Sequence, residues 1–235
     1  MELLFVHGAL VGDGAWWWQP TATLLEARTG VRSRAVALPS CGETPSGRPE
    51  GGLVEDAAAL RAALDAADGE VVVVAHSDGG TVVAEAGNHP AVAHLVLVSS
   101  YLPDVGLSQG AIMGGETDPV AVTDGGDGTV TVDGYDAASF GARFLQDADE
   151  ETQRAAWSRV TAQSVAAFAT PTTAAGWQGV DTTYLVCGQD RSTSLGLQRG
   201  YAARASRTVE LPTGHHPFTT RPDLVVDVLE GLVSR

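Results

Sequence analysis

The sequence predicts an α/β protein, a mostly parallel sheet flanked by helices with an inserted cap. Three observations point there. Runs such as Val71-Val72-Val73-Val74 are apolar and β-branched without polar alternation, as in strands buried on both faces of a parallel sheet. These runs alternate with segments of helical periodicity. From about 104 to 179 the alternation stops, glycines multiply and periodicity weakens, and then the pattern resumes. One core over 1–103 and 180–235, with a cap (lid) over 104–179, explains this better than two independent domains, and 235 residues suit one such unit.

Taken in order, Leu3-Leu4-Phe5-Val6 is a first buried strand ending in His7-Gly8-Ala9. Such a loop places backbone N–H groups at the top of the sheet, as half of an oxyanion hole or as a plain glycine-rich turn. A helix opens at Trp16-Trp17-Trp18 and runs to Gly30. Three consecutive tryptophans cannot share a face, so at least one belongs in the core and at most one near a site. Val31 to Leu38 reads as an alternating strand stopped by Pro39, and Leu53 to Asp68 as a helix stopped by Gly69.

The central run continues into Ala75-His76-Ser77-Asp78-Gly79-Gly80 and a helix from Thr81 that ends near Asn88-His89-Pro90. A sharp strand–turn–helix needs small residues around its middle position. Ala75, Gly79 and Gly80 supply them, which leaves Ser77 projecting at the C-terminal end of the sheet beside helix N–H groups. A small-x-Ser-x-Gly match alone is common and can be an ordinary turn; the flanking strand and helix favour a nucleophile. His94 to Ser100 is the next strand. In the cap, Thr129-Val130-Thr131-Val132 suggests a small hairpin, and helical segments fall near 136–147 and 150–164. Asp181 to Gly188 is a strand that delivers Asp190, and a helix from Thr193 to Ala205 follows. Thr208 to Pro212, the loop Thr213 to Phe218 and a last helix from Arg221 to Leu232 complete the chain. His89 and His94 sit at element ends and read as surface or capping residues.

Composition narrows the function. The net charge of −15 argues against nucleic acid or an anionic membrane as partner. No lysine is present, so Schiff-base lysine chemistry is excluded. Cys41 and Cys187 lie far apart and offer neither a disulfide framework nor a metal-ligand cluster; no metal and no cofactor are expected. No apolar run approaches the ~18–20 residues that span a bilayer. The N-terminus enters a strand at once, with no basic region or cleavage site, so the protein is expected to be soluble and cytoplasmic, a monomer or homodimer acting on a small molecule.

Acyl transfer through serine needs a base for its proton, a carboxylate to orient the base, and donors for the developing oxyanion. The chain supplies Ser77, Asp190 and His215 in that order, each just after a strand. His216 is a rival for His215, and Asp104 for Asp190; Asp181 lies before its strand, at the wrong end of the sheet.

With these residues in place, the chain resembles the α/β-hydrolase superfamily, in particular the group of plant methyl esterases and hydroxynitrile lyases and their bacterial relatives. The matching stretches are Val6-His7-Gly8-Ala9, Gly14-Ala15-Trp16, Ala75-His76-Ser77-Asp78-Gly79-Gly80 and Tyr184-Leu185-Val186-Cys187-Gly188-Gln189-Asp190. Gln198-Arg199 and Gly214-His215-His216-Pro217-Phe218-Thr219-Thr220-Arg221-Pro222 also match, and the likeness is weakest across 104–135. It implies Ser77 as nucleophile, His215 as base, Asp190 as orienting acid, and the N–H groups of Ala9 and Asp78 as the oxyanion hole. The family's His-x-Pro pattern selects His215 over His216. Gly8, where the lyases tend to carry Thr, and His216, where they carry Lys, place the chain nearer the esterases.

Asp78 departs from the family, which usually has Leu, Met, Phe or Tyr after the serine. Its side chain turns away onto the cap or solvent, stays protonated by burial, or binds a hydroxyl or cationic group of substrate. The expected function is a cofactor-free serine hydrolase for an ester, lactone or thioester of a small, rather apolar molecule. The alternatives are a biosynthetic lyase or cyclase of the same fold and a non-catalytic binder. Asp78, Trp177, Phe144 and Phe168 are the substrate-binding candidates, each aromatic being as well explained by glue between cap and core.

Overall fold

The computed structural model describes residues 1–233. The first half of the chain gives β1 (Glu2–Val6), α1 (Gly14–Thr29), β2 (Ser33–Ala35), α2 (Leu53–Asp65), β3 (Val71–His76), α3 (Gly79–Ala86) and β4 (Val92–Val98). The inserted block holds α4 (Gln109–Gly114), β5 (Val122–Asp124), β6 (Thr129–Val132), α5 (Ala137–Phe144), α6 (Glu150–Trp157), β7 (Gln163–Ser164) and α7 (Val165–Ala169). After it come β8 (Thr182–Cys187), α8 (Leu195–Ala202), β9 (Arg207–Leu211), α9 (Pro217–Thr220) and α10 (Pro222–Val233).

Six strands form one parallel sheet in the order β2-β1-β3-β4-β8-β9. Because β4 and β8 are neighbours there, the block between them leaves the sheet and returns without interrupting it. The apolar run of β3 is covered from two sides. Val71, Val73 and Ala75 belong to a core with Ala57, Leu60 and Leu64 of α2, Val82 of α3 and Ala202 of α8. Val72 and Val74 belong to the opposite core, with Trp17, Trp18 and Leu25 of α1 and Val225 and Leu229 of α10. A strand covered on both faces has no position for a polar residue, which is why this one shows no alternation.

Several elements differ from expectation. β2 keeps only Ser33–Ala35, because it is an edge strand paired with β1 alone, although Val36 and Leu38 remain buried beyond it. α3 stops at Ala86, where Gly87 takes φ 73° and Gly176 packs against its backbone. The helix expected over 150–164 ends at Trp157, and the chain beyond becomes an edge that pairs with the loop after β1. Thr131 and its neighbours do form a hairpin strand, as the centre of a three-stranded antiparallel sheet in the order β5-β6-β7. The end of the inserted block rejoins the core early: Thr173 donates to Glu85 through N–H (2.6 Å) and hydroxyl (2.7 Å), and Gly176 N–H to Ala84 O (2.9 Å).

Candidate active site

Ser77 occupies the turn between β3 and α3 with φ 49°, a left-handed backbone that side-chain-bearing residues rarely adopt. The turn closes because Gly79 and Gly80 have no side chain. A Cβ on Gly79 would stand 2.8 Å from Val6 O, and one on Gly80 would stand 2.2 Å from Tyr101 O. The Ser77 carbonyl is held by the Ser100 hydroxyl at 2.6 Å. Ala75, where the family tends to carry glycine, is fully buried.

The loop after β9 brings His215 beside the loop after β8. His215 Nδ1–H donates to Asp190 Oδ2 at 2.7 Å. The same carboxylate oxygen accepts from the Ser99 hydroxyl (2.5 Å) and the Gln198 amide (3.2 Å), and Oδ1 from the N–H groups of Ser192 (2.7 Å) and Thr193 (3.1 Å). Burial works to raise the Asp190 pKa, but His215, Ser99 and Ser192 outweigh it and hold the carboxyl below its ordinary value. Ser99 and Gln198 are supports that sequence reasoning gave no role. Gln198 had one signal, its place in a matching stretch; Ser99 ended a strand and had none.

The rival residues are engaged elsewhere. His216 Nδ1–H donates to Phe144 O at 3.0 Å, and its ring stacks on Trp17 with centroids 4.8 Å apart. Burial, with His215 beside it, lowers its pKa to about 3, so it is neutral. Asp104 is exposed and paired with Arg204. His76 is buried, donates from Nε2 to His215 O at 3.0 Å, and is held well below its ordinary pKa by burial and by His215 and His216.

His7 lies under the loop after β1. Its Nε2 meets Glu43 at 2.9 Å, and Glu43 also accepts from Gly14 N–H and Leu38 N–H, each at 2.8 Å. Burial opposes both charges, yet the pair prevails: His7 is raised and Glu43 lowered to about 2.

Ser77 and His215 open on one cleft of about 690 Å³, including its mouth. Gly8, Ala9, Leu10 and Val11 form its floor; Val120, Val132, Phe140 and Phe144 from the inserted block make an apolar wall, and Tyr101, Gln109, Glu116 and Ser192 add polar groups. Of the substrate-binding candidates, Phe144 lines it. Trp177 does not: its indole N–H donates to Pro103 O at 2.8 Å, Arg204 covers its ring, and it packs on the core. Phe168 sits in α7 against Gly110 of α4, away from the cleft. Asp78 is also absent from the lining. Its carboxyl is buried, accepts from the Gln163 amide at 3.4 Å, and is pushed up to about 7, by burial first and by Asp56 second. Among the described residues no group of three His, Cys, Asp or Glu side chains is placed to hold a metal ion, and no helix is long and apolar enough to cross a membrane.

Residues 3–228 match the model of the alpha/beta hydrolase family. A probable hydrolase of Phoma sp. is 28% identical over 231 residues, covering 91% of each chain. A pyrethroid hydrolase from Sphingobium faniae JZ-2 superposes with a TM-score of 0.83 at 20% identity, over 100% of this chain and 97% of that one. A methylesterase from Arabidopsis gives 0.76 at 18% identity, over 100% and 99%. At these identities the two solved structures establish a shared fold.

Proposed function

Because the chain belongs to the alpha/beta hydrolase family, we propose that it is a cofactor-free serine hydrolase cleaving an ester, lactone or thioester of a small, rather apolar molecule. The observation that carries this is the buried His215–Asp190 pair, 2.7 Å apart, whose His215 shares a cleft with the strained Ser77. With Nδ1 donating to Asp190, His215 presents Nε2 as an acceptor. It takes the Ser77 proton as Oγ adds to the carbonyl carbon, and returns that proton to the departing alcohol or thiol. Water then repeats the sequence on the acyl-enzyme and releases the acid. The N–H groups of Ala9 and Asp78 are the oxyanion donors in this reading, worth roughly 3–4 kcal/mol each. The hydrolases and esterases among its relatives support the reaction class.

The second reading is a lyase or cyclase at the same residues. Tyr101 favours it, because its hydroxyl brings a further proton-carrying group to the cleft. Turnover of 4-nitrophenyl acetate and butyrate, with Ser77→Ala as control, distinguishes the two. Ester turnover that vanishes in the variant supports the hydrolase; none in the parent protein counts against it and leaves the lyase or cyclase and the non-catalytic binder.

A further inference from the structure

The loop that carries Ala9 and the turn that carries Asp78 meet at one side chain of the cap. Gln163, in β7, is fully buried. Its Oε1 accepts the Leu10 N–H at 2.8 Å, and its Nε2 donates to Ser40 Oγ at 3.0 Å and Asp78 Oδ2 at 3.4 Å. Resting on the serine-hydrolase reading, we infer that Gln163 is a positioning residue for the oxyanion hole, fixing with one amide both segments whose N–H groups face the developing charge.

The geometry around it explains why an amide is needed. The group must accept from a backbone N–H on one side and donate twice on the other, which neither a hydroxyl nor a carboxylate does. Leu10 has φ 61°, a conformation held against its own preference. The neighbouring segment is tied in the same way: Thr161 N–H donates to Leu10 O and Gly12 N–H to Arg159 O, both at 2.9 Å, around a Val11–Val160 bridge. On the other side Asp78 shares a buried space with Asp56 of α2, whose carboxyl takes both the N–H (2.9 Å) and the hydroxyl (2.5 Å) of Ser40. His7 and the Cys41 thiol complete that surrounding, and Glu43 holds His7. The connection also reaches the cleft. Gln163 pairs with Val130 of β6, and Val132 of the same strand lines the cleft wall.

The test uses 4-nitrophenyl butyrate. Gln163→Leu and the near-isosteric Gln163→Glu are expected to lower kcat roughly ten- to a hundredfold, with KM within about twofold, because donors move while the cleft wall stays. Gln163→Glu sets a carboxylate against Asp78; adding Asp78→Asn restores a donor–acceptor pair and is expected to recover most of the lost kcat. A loss confined to stability, with kcat intact in both single variants, overturns the inference, as does a double variant no better than Gln163→Glu. If Gln163→Leu does not fold, the Glu and Glu/Asn variants decide it. Amide exchange over residues 8–12 gives a readout independent of turnover: faster exchange there in Gln163→Leu, which loses the acceptor for the Leu10 N–H, with β8 unchanged, supports the inference, and unchanged exchange overturns it. Absence of Ser77-dependent turnover in the parent protein counts against the hydrolase reading, which separates that failure from this one.

Discussion

A carboxylate aimed at a developing oxyanion would oppose it by about 4 kcal/mol at 4 Å and an effective dielectric of 20, as much as one donor supplies. Asp78 avoids this by turning its carboxyl to Gln163, outside the cleft. The burial that keeps it out of the cleft also raises its pKa to about 7 from the usual 3.8. The folded protein then holds a proton that the unfolded chain has released, so Asp78 lowers stability progressively as pH rises from about 4 to 7. Asp78→Asn is therefore expected to raise Tm by several degrees at pH 8 and by much less at pH 4, read by thermal melts at the two pH values. Glu43 has the opposite sign: its lowered pKa stabilises the fold above the usual carboxylate range, and that contribution is lost as pH falls toward 2. For the bases, His215→Ala is expected to reduce ester turnover by roughly 10⁴-fold or more. His216→Ala should instead lower Tm with a much smaller loss of turnover, since His216 is bonded to Phe144 O and stacked on Trp17.

The turn from β3 to α3 tolerates no side chain at position 80. Gly80→Ala is expected to destabilise by about 3 kcal/mol or to displace Ser77, because the obstructing atoms include the Tyr101 backbone. Gly200→Ala, in α8 with open space around the added methyl, should stabilise by up to about 1 kcal/mol. Denaturant unfolding of both variants tests the contrast. The aromatic residues of the inserted block divide in the same manner. Phe144→Ala should shift the preferred acyl-chain length, whereas Trp177→Ala and Phe168→Ala should lower Tm and leave that preference alone. A shifted preference at Trp177 alone would contradict this division.

For the molecule as a whole, charge is expected to act on the choice of substrate. The chain carries −15, and the cleft contains the Glu116 carboxylate, which accepts from Ser194 N–H at 3.1 Å, with no arginine among the described residues that line it. An ester whose acyl chain ends in a carboxylate meets a long-range field and a local charge of its own sign. The 4-nitrophenyl hemisuccinate should therefore show lower kcat/KM than the butyrate. Salt should narrow the gap by screening the field, and Glu116→Gln should narrow it further. Equal rates at low salt would remove Glu116 from specificity.

The parallel sheet and its helices were legible because burial on both faces leaves its mark in local sequence: β3 could carry no polar residue, and Gly79 and Gly80 could carry no side chain. That Ser77, Asp190 and His215 come together at one end of the sheet was legible for a related reason, since each follows a strand and parallel strands bring those ends together. Tertiary structure alone decided the rest. Gln163 lies 153 positions from Leu10 and 85 from Asp78, and no local pattern encodes that meeting. Trp177 and Phe144 look alike as large aromatic residues, yet one covers the core and the other lines the cleft. Sequence records what each segment must bury; which partner fills the opposite side is settled only when distant segments pack, because contact energies depend on position in space and not on separation along the chain.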